Sequence, residues 1–224
     1  ILSSRREYTK INPFVVLLGK GEHQITSIYY YFGDTQATLG VTRNNITFVG
    51  NGKDTTTVLG GFRIENVENI TFKQMTVTNT SNTGNGIRMS NAKVELFDVA
   101  LKGSEYAGLY FTPDSASETT VVATRCEFVN SEYGALINGS STSATFNNCV
   151  FNDNSMDGIQ ADGNATIHLH GEATAIHTNR RIGIFSYGSA KVFIHLPSHH
   201  NTTYNNTRDD RHAIMGGTIT NVED

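Results

Sequence analysis

Apolar and polar residues alternate along much of this chain, in short runs bounded by glycine and small polar residues. Ile70-Thr71-Phe72, Met75-Thr76-Val77 and Ile87-Arg88-Met89 are three such runs, and alternation with a period of two is typical of half-buried strands. No stretch of helical length shows the 3.6-residue period of an amphipathic helix. The pattern therefore predicts an all-β fold made of short strands.

The alternating runs belong to a repeat. A glycine followed by alternating apolar residues recurs at intervals of 22 to 26 residues, beginning at Gly61, Gly86, Gly108, Gly134, Gly158 and Gly183. A second series of apolar pairs recurs beside it, at Ile70 and Phe72, Val94 and Leu96, Val121 and Ala123, Ala144 and Phe146, Ile167 and Leu169, and Val192 and Ile194. Repeats of this period with two or three strands each predict a β-solenoid, in which each copy buries its apolar side only against its neighbours.

Aligning the copies predicts which residues lie side by side on neighbouring rungs. One inward column contains Met75, Val99, Cys126 and Cys149, and another contains Val77, Leu101, Phe128 and Phe151. The polar residues that follow are expected to share a turn; they are Asn79, Gly103, Asn130 and Asp153. The two cysteines are then stacked, either as buried free thiols, which is the default interpretation, or as a disulfide.

Several segments resemble the right-handed parallel β-helix superfamily, which has the pectin-lyase-like fold. Residues 15–23 resemble its usual first rung, residues 45–52 its common next segment, and residues 66–72 its generic rung. The resemblance covers nearly everything from Phe14 onward. It implies a single-stranded right-handed parallel β-helix of about seven to eight rungs, with 22–27 residues per rung. The superfamily has many functions, so the fold by itself does not give one.

We expect one domain over residues 1–224. It divides into an N-terminal segment (1–13), stacked rungs (14–196), a long polar loop (197–211) and a final rung or cap (212–224). The loop is too long and polar for a simple turn, and it is interpreted either as a functional segment or as a cover for the end of the coil. Because the chain begins at Ile1 rather than Met, we expect a processed or excised piece of a longer chain, whose missing part could have held a secretion signal.

The composition excludes two kinds of partner. The net charge is −4 and no run of Lys or Arg stands out, whereas nucleic-acid binding normally requires a basic stripe. The longest apolar stretch, residues 14–18, is far too short to span a membrane. The expected partners are therefore a polysaccharide or another protein chain.

The chain contains seven Asn-x-Ser/Thr sequences, at Asn45, Asn69, Asn79, Asn138, Asn164, Asn201 and Asn205. One interpretation is glycosylation, which would predict an extracellular, cell-surface or virion-surface protein. The other is chance, because the chain is rich in Asn, Ser and Thr and several of these asparagines lie at predicted turns.

Catalytic candidates are few. Polysaccharide hydrolysis requires two carboxylates, and the best local pair is Asp157 and Asp162. The segment faintly resembles the Asn-Thr-Asp-Gly-Ile-Asp motif of polygalacturonase-like hydrolases, but Gln160 replaces the second aspartate of that motif. The simpler interpretation is that Asp153 and Asp157 are turn residues.

Pectate-lyase-like members use an arginine base beside calcium-binding acids, and Arg88 is the corresponding candidate here. It is predicted to face outward, but no aligned column of acids accompanies it, so a solvated arginine is the simpler interpretation. The Tyr-Gly-Phe-Asp-Pro-His motif of epimerase-like members is also missing, because Tyr133-Gly134 and Tyr187-Gly188 continue without its acid and histidine. Whether the protein is an enzyme stays open; the sequence favours a protein without catalytic activity, and an enzyme would be expected to act on polysaccharide.

The outward positions of the glycine-led strands form a second candidate site. After Arg63, they are Arg88, Tyr110, Leu136, Gln160 and Phe185. Tyr110, Leu136 and Phe185 are unusually apolar for a solvent-facing column. Two interpretations fit: a groove in which sugars stack on aromatic rings, or a patch that packs on another chain.

A histidine group is the third candidate. In Ile167-His168-Leu169-His170 the period of two turns both histidines outward, and His195 follows His170 by 25 residues, one rung later. Three imidazoles placed together could bind zinc or copper. The alternative is that they are solvated surface side chains.

The sequence therefore predicts a non-catalytic β-helix module of an extracellular or virion-surface protein, structural or polysaccharide-binding, without a cofactor. A carbohydrate-active lyase, hydrolase or epimerase with an unfamiliar site is the first alternative. A metal-binding accessory protein, with a divalent ion at the histidines, is the second.

Overall fold

The computed structural model describes residues 7–31, 33–112, 118–197, 200 and 202–222. In these ranges the chain consists of strands, turns and bends without a helix. Consecutive rungs pair in parallel and form a solenoid of about seven turns. The predicted all-β, parallel solenoid fold is therefore confirmed.

Each rung contributes strands to three parallel sheets, which run along three faces of the coil. The glycine sheet contains β4 (Asp34–Val41), the first parts of β7 (Gly61–Thr78) and β8 (Ile87–Lys102), β9 (Ala107–Phe111), β12 (Tyr133–Gly139), β15 (Ile159–Gly163), β18 (Ile182–Tyr187) and β21 (Asp209–Ile214). The second sheet contains β1 (Phe14–Leu17), β5 (Ile46–Val49), the middle parts of β7 and β8, β10 (Thr119–Thr124), β13 (Thr142–Asn147), β16 (Thr166–His170), β19 (Lys191–His195) and β22 (Thr218–Asn221). The third sheet contains β2 (Gly21–Gln24), β6 (Thr56–Leu59), the last parts of β7 and β8, β11 (Glu127–Val129), β14 (Val150–Asn152), β17 (Ala175–His177) and β20 (Thr203–Tyr204).

Among the strands of the described ranges, one hairpin interrupts the parallel pattern. Strand β3 (Ile28–Tyr31) runs antiparallel to β4 and pairs Tyr29 with Gln36. Gly33, with φ of +90°, lies at the turn, a conformation that glycine adopts without strain. The hairpin brings Tyr29 to the first rungs of the glycine sheet.

The interior is filled by the predicted apolar columns. Phe128 pairs with Leu101 on one side and with Phe151 on the other, and the rings of Phe128 and Phe151 stack with centroids 4.5 Å apart. Cys126 and Cys149 are both free thiols and both buried, which is the default that the sequence predicted. Burial raises the pKa of the Cys126 thiol and favours its neutral form.

The repeated glycines are required by the close approach of one rung to the next. A Cβ added to Gly134 would lie 2.5 Å from the carbonyl oxygen of Gly158, and one added to Gly158 would lie 2.8 Å from that of Gly183. Real Cβ atoms do not come so close to a carbonyl oxygen, so a larger residue would force the rungs apart. The glycine repeat therefore records the stacking of backbones.

Most of the predicted shared turn is also confirmed. Gly103, Asn130 and Asp153 adopt φ values of +65°, +54° and +56° at equivalent positions of successive rungs. Asn79 differs, because it is buried and its side-chain amide donates to the carbonyl oxygen of Asn85, 3.0 Å away.

A ladder of asparagines follows this turn, and sequence reasoning missed it. The Nδ2 group of Asn154 donates to Oδ1 of Asn179 (2.9 Å), and Nδ2 of Asn179 donates to Oδ1 of Asn206 (2.8 Å). Asn206 in turn donates to Oδ1 of Asp210 (2.8 Å). The buried amides of Asn154 and Asn179 bridge the rungs at this corner because each donates to a partner one rung away, and the half-buried Asn206 ends the ladder on Asp210 of its own turn.

The prediction of one long loop over residues 197–211 is wrong in part. Within it, β20 pairs with β17 and β21 begins at Asp209 to pair with β18, so the solenoid continues into a further rung. The inner face of that rung is polar at Arg211, which donates to Thr203 Oγ1 (2.9 Å) and to Asn221 Oδ1 (2.7 Å), while Ile219 still packs on the apolar interior. Burial lowers the pKa of the Arg211 guanidinium. Polar side chains are thus buried at this end of the coil, where the sequence predicted a final rung or cap.

Candidate functional site

The outward column of the glycine sheet is in the predicted register. Arg63 pairs with Arg88, and the column continues in order through Tyr110, Leu136, Gln160, Phe185 and His212. The prediction that Leu136 is an exposed apolar residue of this column is wrong, because its side chain is buried, with 6% of its surface exposed. Its side chain is shorter than those of its neighbours in the column, Tyr110 and Gln160.

Arg88 lies among aromatic rings, so the interpretation of a solvated arginine is wrong. It is half-buried, with its guanidinium carbon 5.7 Å from the ring centroid of Tyr29 and 5.9 Å from that of Tyr110. Arg63 approaches the same Tyr29 ring at 4.4 Å and donates to Glu65 Oε2 at 2.6 Å. Both arginines are within the range of cation–π attraction. Sequence reasoning missed Tyr29, because it comes from the hairpin rather than from the repeat.

Two further tyrosines extend this aromatic surface. The ring centroid of Tyr106 lies 5.7 Å from that of Tyr110 and 5.5 Å from that of Tyr133, with edge-to-face angles of 85° and 69°. Tyr106 lies in the turn before β9, and Tyr133 is the first residue of β12. Tyr106 and Tyr133 lie side by side on neighbouring rungs, where the backbone amide of Tyr133 donates a hydrogen bond to the carbonyl oxygen of Tyr106. Together with Tyr29 and Tyr110 they form an aromatic strip beside Arg88.

Asp157 is fully buried and held in an ion pair. Its carboxylate accepts hydrogen bonds from Nε and Nη2 of Arg181, the first at 2.7 Å, and from the backbone amide of Ile182 at 3.1 Å. The guanidinium of Arg181 also lies over the Phe185 ring, 5.4 Å from its centroid. Asp157 is thus neither a simple turn residue nor accessible to a substrate, which corrects its candidacy as a catalytic acid.

Asp162 is half-buried on the same face and accepts a hydrogen bond from Gln160 Nε2 at 2.9 Å. Burial raises the pKa of Asp162, and the nearby negative charge of Asp157 adds to the effect. Burial likewise raises the pKa of the Tyr133 phenol. The structure does not bring Arg88 to this acid, because Arg88 and Gln160 are three rungs apart in the same column, roughly 14 Å at the spacing of adjacent strands.

The histidine prediction is confirmed in its geometry. His170 pairs with His195, and their rings stack with centroids 4.2 Å apart and planes 8° from parallel. His168 Nδ1 lies 2.9 Å from His195 Nε2. Burial lowers the pKa of His168, and the proximity of His195 adds to this shift. These three residues each offer a nitrogen to a metal ion, all within 4.8 Å of one another.

The predicted glycosylation positions differ in accessibility. Asn79 is 1% exposed, so a glycan has no room there in the folded chain, which removes one candidate. Asn164 and Asn205 are exposed. The half-buried positions are Asn45, Asn69 and Asn138, and Asn201 lies outside the described residues.

A sequence profile described as the right-handed β-helix region matches residues 23–174 and 60–223. The chain therefore belongs to the right-handed β-helix family, as its resemblance to that superfamily implied. No curated protein matches the chain significantly. Among solved structures, the A-module of the mannuronan C-5 epimerase AlgE4 from Azotobacter vinelandii is 16% identical, with a TM-score of 0.34 over 82% of this chain and 68% of that one. A likeness this distant carries no argument about function.

The structure also bears on the expected partners. No helix in the described ranges is long and apolar enough to cross a membrane.

Proposed function

We propose that the protein is a non-catalytic β-helix module that binds polysaccharide along the outer face of its glycine sheet. The observation that carries this proposal is the strip formed by Tyr29, Arg88, Tyr110, Tyr106 and Tyr133, in which aromatic rings and a guanidinium lie together on successive rungs. All five side chains are half-buried, so their positions are restrained while part of each is accessible.

The chemistry of this strip suits a sugar chain. A pyranose ring has apolar C–H faces and a rim of hydroxyl groups, so it packs on aromatic rings and exchanges hydrogen bonds with planar polar groups. Arg88 and the tyrosine hydroxyls supply such groups beside the rings, and Gln160 and Arg181 supply them further along the same sheet. Because the strip extends over several rungs, it fits an extended polymer better than a single sugar.

The carboxylates on this face support binding without catalysis. A glycosidase needs two acids that flank the scissile bond. Asp157 is buried in its ion pair with Arg181, and Asp162 alone of the two predicted acids is open to a ligand. The arginine that a lyase would use, Arg88, lies three rungs away.

We place the protein outside the cell, on a cell surface or on a virion surface. This part of the proposal is supported by the exposed Asn-x-Ser/Thr positions Asn164 and Asn205. Expression in a glycosylating host, followed by peptide mass analysis, tests it: glycans are expected at these two positions and not at Asn79. A chain that carries no glycan at either position would contradict this support.

The binding proposal is tested with a panel of neutral and uronate-rich polysaccharides. Affinity electrophoresis is expected to show retardation by at least one of them, with no release of reducing or unsaturated ends during prolonged incubation. Release of either kind of end would overturn the non-catalytic assignment.

One observation favours a second candidate, a carbohydrate-active enzyme. The pKa of the Asp162 carboxyl is raised, and this carboxyl interacts electrostatically with the phenol of Tyr133. Two such groups could exchange protons with a substrate. If the assay above detects product, Asp162→Asn should abolish its release, whereas the same variant should still bind polysaccharide.

A further inference from the structure

We propose that His168, His170 and His195 form a binding site for a divalent transition-metal ion, zinc or copper, on the outer face of the second sheet. This site lies on a different face of the coil from the aromatic strip, so it goes beyond the proposed function.

The strands fix the three imidazoles in place. His168 and His170 are alternate residues of β16 and therefore emerge on the same side of the sheet, while His195 is the last residue of β19 and lies beside His170 in register. Parallel pairing on both sides, with β13 and with β22, holds these strands at fixed spacing. The ligands would thus come from a rigid surface.

The nitrogen positions are close to those of a metal site. Two ligand nitrogens on a tetrahedral zinc ion are about 3.4 Å apart, since each Zn–N bond is about 2.0–2.1 Å. His168 Nδ1 and His195 Nε2 share a hydrogen bond of 2.9 Å, so a metal ion would replace the proton between them, which leaves to solvent, as the two nitrogens move slightly apart. One nitrogen from each of the three rings lies within 4.8 Å of the others. All three rings are half-buried at the surface, where small rotations about χ1 and χ2 would complete the geometry.

The ligand type selects the ion. Three imidazoles suit zinc, copper and nickel, whereas magnesium and calcium require oxygen ligands. Three protein ligands leave a fourth position for water, as in sites where the metal exchanges or reacts. The ring of Phe193 stacks against His168 with centroids 5.2 Å apart and shields one side of the group.

The test uses the untagged protein after treatment with a chelator. Isothermal titration with zinc is expected to show one saturable site, and cobalt(II) is expected to give the visible absorption of a nitrogen-ligated ion. His195→Ala should weaken zinc binding by at least about 100-fold, because even partners outside the metal's ligand shell cost 10–100-fold when they are removed. The matched control is His177→Ala, which removes a half-buried outward histidine of the third sheet that stacks on Tyr204.

Thermal unfolding separates loss of the site from loss of the fold. Metal-free His195→Ala should unfold at nearly the wild-type temperature, whereas zinc should raise the midpoint of the wild-type protein and of His177→Ala only. The proposal is overturned if the wild-type protein shows no saturable binding, or if His195→Ala binds zinc as tightly as His177→Ala does. Polysaccharide binding should be the same with and without chelator, so failure of one proposal does not decide the other.

Discussion

The buried carboxylate of Asp157 is held by the guanidinium of Arg181, which belongs to the next rung of the coil. The pair ties two rungs together at the edge of the glycine sheet and places Arg181 over the ring of Phe185. It also removes from the candidate site the acid that the sequence motif most strongly suggested. An aspartate in a faint catalytic motif is here a structural residue.

The first prediction concerns this ion pair. Arg181→Met should lower the free energy of unfolding by about 3 kcal/mol, because it leaves the Asp157 carboxylate buried with the Ile182 amide as its remaining donor. Urea unfolding measures this loss. Asp157→Asn combined with Arg181→Met should be more stable than the single arginine variant, since the buried charge is then absent. A loss below about 0.5 kcal/mol in the single variant would show that the pair does not matter.

The second prediction concerns the asparagine ladder. Asn179→Ala removes a side chain that donates to the Phe151 carbonyl (3.1 Å) and to Asn206 and accepts from Asn154. Several buried polar groups would lose partners at about 1–3 kcal/mol each, so the total loss should exceed about 3 kcal/mol. The exposed Asn164→Ala is the control and should change the unfolding free energy by less than about 0.5 kcal/mol. Equal effects of the two substitutions would mean that the ladder is not a stabilising element.

The third prediction concerns the glycine repeat. Gly134→Ala should destabilise the protein by about 3 kcal/mol, because the new Cβ meets the carbonyl oxygen of Gly158 at 2.5 Å. Gly19→Ala is the matched control, since a Cβ there has no atom within 4 Å. It should be neutral or slightly stabilising in the same urea titration. Tolerance of alanine at Gly134 would contradict the argument that backbone contact dictates glycine there.

The fourth prediction concerns the two cysteines. Both thiols are free and buried, so a reagent in solution cannot reach them in the folded protein, and burial also raises the pKa of Cys126 and keeps that thiol protonated near neutral pH. In the native protein a disulfide reagent such as Ellman's reagent should react slowly, and in denaturant it should titrate both thiols. Intact mass of the untreated protein should correspond to the reduced form. Rapid native labelling would show that this part of the interior opens readily.

The sequence predicted the solenoid well because stacking requires the repeat: each rung buries its apolar side only against the neighbouring rungs. Period-two alternation fixes which side chains point inward, and the recurring glycines and apolar pairs then fix register, so Phe128 beside Phe151 and His170 beside His195 could both be predicted. Both pairs lie within regular strands, where counting residues is sufficient.

The site was harder to predict because several of its residues lie outside the repeated strands or depend on burial. Tyr29 comes from a hairpin inserted before the repeat begins, and Tyr106 lies in a turn. Arg181 is likewise a turn residue, so its pairing with Asp157 follows no strand register. The burial of Leu136 in an outward column depends on the sizes of its neighbours, which alternation does not describe.

Polysaccharide affinity of surface variants tests the central claim most directly. With the polysaccharide that binds best, Tyr110→Ala and Arg88→Ala should each weaken binding about tenfold, or roughly 1.4 kcal/mol. The control Tyr204→Ala removes a half-buried outward tyrosine of the third sheet and should bind as the wild-type protein does. Wild-type affinity in both strip variants, or an equal loss in Tyr204→Ala, would contradict binding along the glycine sheet.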